Sequence, residues 1–334
     1  YEGKIKCIYI DPPYNTGNEG WIYNDNVNDP KIKKWLGEVV GKEGEDLSRH
    51  DKWLCMMYPR LVLLQKLLAE DGAIFISIDD NEHANLLLVC NEIFGSNNFI
   101  QDIIWNKRVS PARDAKFFST DHEYILVYSK NKESLTTHFL PRTEKNNSYY
   151  KNPDNDPRGP WNSAAYTCNK SRDERPNLYY PITNPYTGEK IFPKESAVWA
   201  YSEETYQQHV RDNLLYWGVN GEAKQPRKKA FLSEVGDVVP RSVWSHSDVG
   251  STQKATMENN TIFNMRAFSY PKVSTLVERI IQIASDKDSI VLDSFAGSGT
   301  TAHAVLNMNK SDGGNRKFIL VEMGDYADTI TAER

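Results

Sequence analysis

The sequence predicts an α/β protein: a doubly wound, mainly parallel sheet interrupted by an inserted module. Three observations carry this. Short apolar runs alternate with helical stripes over the first 130 residues, as parallel sheets with crossover helices require. The alternation stops after about Ser129 and resumes near Ser269. Between them lies a stretch rich in Tyr, Trp, Pro and Asn with frequent turn signals, which suits short strands and loops.

Residues 4–10 (KIKCIYI) form an apolar run ending on Asp11, the pattern of a buried strand. Residues 15–48 are polar and long for a loop in a compact domain, so a functional or mobile segment is expected. Trp53, Leu54, Met57, Leu61, Leu64, Leu67 and Leu68 recur at helical spacing, with Pro59 near an expected kink and Gly72 as a stop. Residues 73–78 (AIFISI) predict the next strand, and Asp79-Asp80-Asn81-Glu82 a capping box for a helix ending at Gly95. Two further strands are predicted over 99–105 and 123–128. In the middle stretch, Asn184-Pro185 with Thr187-Gly188, and Asn220-Gly221, mark turns, and 203–210 reads as one short helix. Beyond it Pro271 suits a first helical turn, and Val273, Leu276, Val277, Ile280, Ile281 and Ala284 form one apolar stripe. Residues 289–292 predict a strand, 300–308 a helix, 317–321 a strand and 325–334 a helix. The expected domains are 1–130, 131–262 and 263–334.

A length of 334 residues suits one large α/β domain plus a second module. No apolar run approaches a membrane span and no signal-peptide pattern opens the chain. The first residue is Tyr1, almost directly before a strand, so an excerpt of a longer protein is expected. Cys7, Cys55, Cys90 and Cys168 include no close pair, which argues against a zinc knuckle or redox motif and for buried free thiols in a reducing cytoplasm. The net charge of −5 argues mildly against a nucleic-acid partner. Local clusters could still supply a basic face: Lys107-Arg108, Arg113 and Lys116, and Arg227-Lys228-Lys229. A lone basic run is more often a solvated surface.

Two loops carry chemistry. Asp293-Ser294-Phe295-Ala296-Gly297-Ser298-Gly299-Thr300-Thr301-Ala302 follows a strand, opens a helix and fits G-x-G-x-x-(G/A). Its glycines let backbone approach a ligand, and the helix start offers free N–H groups to a carboxylate. Glu322 ends the next strand, where an acid can accept from ribose hydroxyls. A dinucleotide, a mononucleoside and S-adenosylmethionine all suit this loop, and an unliganded turn is a common alternative. Asp11-Pro12-Pro13-Tyr14-Asn15-Thr16-Gly17 also follows a strand. Its prolines remove two N–H donors and fix the backbone. Nearby carbonyls and the Asp11 carboxylate remain as acceptors beside the flat Tyr14 ring. An acceptor cluster next to an aromatic face suits a planar substrate bearing an NH₂ group. The competing reading is a rigid turn with a satisfied Asp.

Together the loops resemble the amino-methyltransferases of DNA. Asp11-Pro12-Pro13-Tyr14 is similar to their D-P-P-Y motif, and Phe295-Ala296-Gly297-Ser298-Gly299 to their F-x-G-x-G cofactor motif. The circularly permuted order, tetrad first and cofactor loop last around an insert, resembles the class called β. Tyr270-Pro271-Lys272 is similar to the motif before the cofactor strand, with Val273 where a second proline is usual. Asn184-Pro185-Tyr186-Thr187-Gly188, Phe231-Leu232-Ser233-Glu234 and Val249-Gly250 resemble elements of type III modification (Mod) subunits.

The resemblance implies a Rossmann-like fold with S-adenosylmethionine as methyl donor, and no metal. It implies catalysis by Asp11, Pro12, Pro13 and Tyr14. Asp293, Phe295, Gly297, Ser298, Gly299, Thr300, Thr301, Glu322, Lys272 and Thr16 would hold the cofactor. The insert would recognise the target in duplex DNA, and Lys107, Arg108, Arg113, Arg227, Lys228 and Lys229 would contact the DNA. It further implies a homodimer, a restriction (helicase–nuclease) partner, a bacterial cytoplasmic, nucleoid-associated location, and one more sheet strand beyond the residues given. Asp11 favours adenine N6, since Ser usually stands there in enzymes acting on cytosine N4. A silent nucleic-acid-binding subunit and a nucleotide-dependent oxidoreductase are the other readings. The first sits poorly with intact motifs, and the second leaves the tetrad unexplained.

Overall fold

In the computed structural model the structure describes residues 1–16 and 49–334. Most of the polar loop expected over 15–48 therefore lies outside the described residues. Two compact units are present: Tyr1–Leu140 with Val239–Arg334, and Pro141–Val238.

The first unit is an α/β sheet sandwich. Its elements are β1 (Ile5–Ile10), α1 (Arg49–Leu67), β2 (Leu68–Ile78), α2 (His83–Cys90), β3 (Phe99–Asn106) and β4 (His122–Ser129). After the second unit come β5 (Val243–Trp244), α3 (Thr252–Phe263), α4 (Ser274–Ala284), β6 (Ile290–Asp293), α5 (Thr300–Asp312) and β7 (Lys317–Leu320). The strands form one sheet in the order β5-β3-β4-β2-β1-β6-β7. Among the described strands β4 alone runs against the others, pairing antiparallel with both β2 and β3. All six residues of β1 are buried, as a central parallel strand with both faces covered requires. Its side chains divide between two cores. Ile8 and Ile10 join Trp53, Met57 and Leu61 of α1. Cys7 and Tyr9 join Leu276, Val277, Ile280 and Ile281 of α4. The apolar stripe read from the sequence is thus the buried face of α4.

This topology places the site. From β1 the chain passes through α1 to β2 on one side, and from β6 through α5 to β7 on the other. β1 and β6 are adjacent and parallel, so the winding reverses between them. The crevice at their carboxyl ends is where open α/β sheets bind ligands, and both motif loops begin there.

Several expectations need correction. Gly72 does not stop a helix: β2 already begins at Leu68. A Cβ at Gly72 would lie 2.9 Å from the carbonyl oxygens of Ile5 and Lys6, beside the register shift between β1 and β2, so close backbone approach explains this glycine. The capping box before α2 does not form. Asp79 accepts instead from the Asn81 backbone N–H (2.9 Å), and Glu82 makes no cap bond. Pro271 precedes the first turn of α4, whose N-cap is Val273.

The second unit is narrower than the stretch 131–262 set aside for it. β5 pairs with β3, and Trp244, Val249 and Ala255 share the core of α4, so residues 239–262 belong to the first unit. The second unit holds a three-stranded sheet (Leu215–Tyr216, Arg227–Phe231, Trp161–Ala165), two two-stranded pairings and the helix Glu203–Arg211, with a core of Tyr166, Tyr180, Trp199, Tyr206 and Trp217. Its aromatics are therefore largely core. Both expected turns connect paired strands, Ile182–Thr183 with Lys190–Ile191 and Leu215–Tyr216 with Arg227–Phe231. Among the described residues no helix is long and apolar enough to cross a membrane.

Candidate active site

The crevice opens as a cleft of ≈ 860 Å³ lined by Asp11, Pro12, Pro13, Tyr14 and Thr16 from the first loop and by Phe295 and Gly297 from the second. Lys107, Arg108, Glu123 and Lys272 also line it. Sequence-distant motifs thus share one wall.

Asp11 is the hub. Lys272 Nζ donates to Asp11 Oδ1 and Oδ2 at 2.7 and 2.8 Å, and to Tyr14 Oη at 2.8 Å. The same ammonium lies 4.9 Å from the Tyr14 ring centre and 3.4 Å from Glu123 Oε2. Tyr14 Oη is within donating distance of both Asp11 Oδ1 (2.9 Å) and Glu123 Oε2 (3.0 Å); its single hydrogen serves one at a time. Lys107 Nζ donates to Glu123 Oε1 at 2.9 Å. Two carboxylates and two ammonium groups therefore interlock around one phenol. Burial pushes the Asp11 carboxyl above its ordinary range, Glu123 adds to this, and Lys272 opposes it. Burial would raise Glu123 too, but Lys272 and Lys107 hold it below its ordinary value. Burial would lower Lys272, yet Asp11 and Glu123 raise it, so it stays charged.

The rest of the first loop is braced from behind. Trp53 Nε1 donates to the Pro13 carbonyl at 2.7 Å. Asn15, buried with φ +58°, donates through Nδ2 to Glu82 Oε1. Glu82 is itself fully buried and also takes Asn85 Nδ2 at 2.8 Å. Trp53→Phe should leave the Pro13 carbonyl unpaired and cost about 1–3 kcal/mol. Urea unfolding compared with wild type checks this.

The glycine loop is held by its own polar side chains. Asp293 accepts from Thr301 Oγ1 (2.5 Å) and the Phe295 N–H (3.0 Å). Glu322 Oε2 accepts from the Gly297 N–H, and Oε1 from those of Met323 and Gly324, each at 2.8 Å. Thr300 Oγ1 donates to the Lys272 carbonyl (3.1 Å), and Arg334 Nη1 to Ser298 and Thr300. Asp293, Ser298, Thr300, Thr301 and Glu322 thus brace the loop, and of its expected cofactor residues Phe295 and Gly297 line the cleft. Gly297 has φ +53°, and a Cβ there would meet the Phe268 ring at 3.5 Å. The loop therefore brings backbone at Gly297 to the same cleft as Asp11, a lining that fits a small cofactor.

Burial pushes the Asp293 carboxyl up to about 7, while its two hydrogen bonds pull the other way. Between about pH 4 and pH 7 the folded state then holds a proton that the unfolded state releases. Stability falls as pH rises through that window. Asp293→Asn should flatten this slope. Urea melts at about pH 5 and pH 8 check the difference.

The basic residues divide. Arg108 is exposed at the cleft, and Arg113 is exposed. Lys107 is tied to Glu123, which makes it part of the network. Arg227 is exposed but donates to Ser163 Oγ and the Ser163 carbonyl, each at 2.9 Å. Lys228 lies 5.1 Å from the Tyr201 ring centre. Lys229 is no surface contact: it is 2% exposed and paired with Asp154 and Asp156 at 2.5 and 2.8 Å. Lone lysines avoid burial, and these two partners are what permit it. Motif reading missed Glu123, which lines the cleft, and Trp53 and Glu82, which brace the first loop. The one signal for Glu123 is an acid opening the otherwise apolar run EYILVY.

Comparison with known proteins bears on this site. The N6_N4_Mtase family model, described as DNA methylase, matches residues 5–333. The chain is 37% identical to the StyLTI Mod subunit of a type III restriction–modification enzyme from Salmonella typhimurium strain LT2, over 96% of this chain and 49% of that protein. It is 33% identical to the EcoPI Mod subunit of Escherichia phage P1, over 96% of this chain and 54% of that one. With type II methyltransferase M.KpnI of Klebsiella pneumoniae it shares 34% identity, over 95% and 75%. The chain spans about half the length of the type III relatives it matches. Among solved structures, the cytosine-N4-specific PvuII DNA methyltransferase shares the fold, with a TM-score of 0.50 at 12% identity over 99% of this chain and 79% of that one.

Proposed function

The chain belongs to the N6_N4_Mtase family of DNA methylases, and on that premise we propose that it methylates the exocyclic amino nitrogen of adenine in duplex DNA. One observation carries the reading. An N–H donor, the Lys272 ammonium, already bridges both oxygens of Asp11 within the cleft that Pro12 and Gly297 also line. A base amino group can take a comparable place between Asp11 and the Pro12 carbonyl.

The amino nitrogen of adenine is a weak nucleophile because its lone pair is delocalised into the ring. Asp11 and the Pro12 carbonyl accept its two N–H bonds and draw it toward a pyramidal geometry with a localised lone pair. For this, Lys272 yields at least one Asp11 oxygen, and Glu123 stays within its reach. The two carboxylates also favour the positive charge that develops on the nitrogen, a preorganised electrostatic effect. Tyr14 supplies the flat face on which the base stacks. Phe295, Gly297 and the loop braced by Asp293 and Glu322 would hold S-adenosylmethionine. When bound, that cofactor would supply an electrophilic methyl group and leave as a neutral thioether, so alignment does most of the remaining work, and the surplus proton on the methylated nitrogen is released along its hydrogen bond to Asp11 and on to water.

A paired base cannot reach this cleft, so the base is flipped out of the duplex, at a cost of a few kcal/mol. The 141–238 unit is the proposed target reader. The similarity to Mod subunits supports a restriction–modification role, and the proposal extends to a homodimer acting beside a restriction subunit in the bacterial cytoplasm. Methylation mapping of DNA from cells expressing the full-length protein tests this. Modified adenine at one recurring sequence supports it. Modification confined to cytosine, or none, overturns it.

A further inference from the structure

The loop joining β3 to β4, residues 107–121, departs from what the fold needs. Antiparallel neighbours are usually joined by roughly two to five residues. This excursion is far longer, and it exposes two adjacent aromatics, Phe117 at 82% and Phe118 at 93%. Such side chains normally lose water contact on folding, so their presentation calls for a partner.

The loop is shaped rather than slack. The Lys107 N–H donates to the Asp121 carbonyl at 2.9 Å, extending the ladder beyond the strands. Ser119 Oγ accepts from the Ala112 N–H at 2.7 Å and donates to Asp121 Oδ1. The Thr252 N–H donates to the Lys107 carbonyl at 3.0 Å and fastens the loop base to α3. These bonds hold the base closed and leave the phenylalanines outside it.

Position and charge identify the partner. β3 runs parallel to β1 in the sheet, so the loop rises from the edge that carries the cleft, and Arg108 at its base lines that cleft. Arg108, Arg113 and Lys116 are exposed along the loop against one exposed acid, Asp114, while the second acid, Asp121, is half-buried and bonded to Ser119. That excess of cations runs counter to a chain of net charge −5. The Lys116 ammonium lies 5.3 Å from the Phe117 ring centre. Cations interleaved with exposed aromatics suit a polyanion with stackable bases.

We propose that this loop is a DNA wedge. Phe117 and Phe118 enter the base stack beside the target and fill the space a flipped base leaves, while Arg108, Arg113 and Lys116 hold the flanking phosphates. Apolar wedges of this kind unstack duplex steps in other DNA-binding proteins. The proposal rests on the base-methylation reading above and adds the element that sustains flipping.

The test uses the full-length protein and a duplex carrying its mapped site. Phe118→Ala, the Phe117→Ala/Phe118→Ala double variant and Phe118→Trp are compared on two substrates. One has the target adenine paired; the other places it opposite an abasic position, where little pairing remains to be broken. The double variant should lose about tenfold or more in kcat/KM on the paired duplex and no more than about twofold on the unpaired one. Phe118→Trp should retain most activity, because a larger ring can still stack. Equal losses on both substrates, or no loss on either, overturn the wedge. Loss accompanied by dissociation of the protein in sedimentation velocity also overturns it, assigning the phenylalanines to a contact between copies of the chain. Wild-type protein inactive on both substrates would instead bring down the methylation reading, and the wedge with it.

Discussion

Asp11→Ala is expected to lower single-turnover methyl transfer by at least about 10²-fold, the scale seen when one preorganised polar contact to a transition state is removed. Duplex binding should change little, because the phosphate-contacting residues proposed here lie elsewhere. The loss follows from the proposed mechanism: Asp11 lines the cleft beside Pro12, and in that reading its carboxylate and the Pro12 carbonyl together localise the nitrogen lone pair. Asp11→Asn separates charge from shape. It keeps one acceptor oxygen but introduces an NH₂ group, which repels both a substrate N–H and Lys272. Its rate should therefore fall nearly as far as that of the alanine variant. Rapid-quench assays with filter-binding controls check both variants. Near-normal turnover in Asp11→Ala would remove the hydrogen-bond role.

Lys272→Met is the second large effect, and it falls on stability. Lys272 is the ammonium shared by Asp11 and Glu123, at 2.7 and 3.4 Å. Its side chain is 11% exposed and that of Glu123 8%, so water replaces little of the lost interaction. Removing one partner of such a buried pair costs about 3–5 kcal/mol. The sign with pH is specific. Without Lys272 both carboxyl groups titrate higher, and their burial penalty applies only when they are ionised. The deficit should therefore be larger at about pH 8 than at about pH 5. Urea unfolding of wild type and variant at the two values measures it. A pH-independent deficit would point to lost packing alone.

The parts legible in the sequence share a physical character. β1 and β6 stand out because a central strand buried on both faces must be nearly all apolar, and α4 because one continuous stripe is buried. The two motif loops follow, since each begins at the carboxyl end of such a strand. α3 was not legible: TQKATMENNTIF is polar almost throughout, and Ala255 and Asn259 are its buried residues. β5 is too short to carry a period. Lys229 read as surface because its burial depends on Asp154 and Asp156, far away in sequence. Gly72 read as a helix stop because the close approach of the β1 carbonyls exists only once the strands pair.

Glu123 was missed for a topological reason. β4 runs opposite to its neighbours, so its first residues, not its last, lie at the edge bearing the carboxyl ends of β1 and β6. Searching strand carboxyl ends for functional groups passes over it. Tyr14 was expected as a stacking face; its hydroxyl is also the link between Asp11 and Glu123.

The most direct test is in vitro transfer of a labelled methyl group from S-adenosylmethionine to duplex DNA by the full-length protein, followed by digestion and nucleoside analysis. Label in N6-methyladenine, lost in Asp11→Ala, is the expected result. Label in N4-methylcytosine, or undiminished transfer without Asp11, would contradict it.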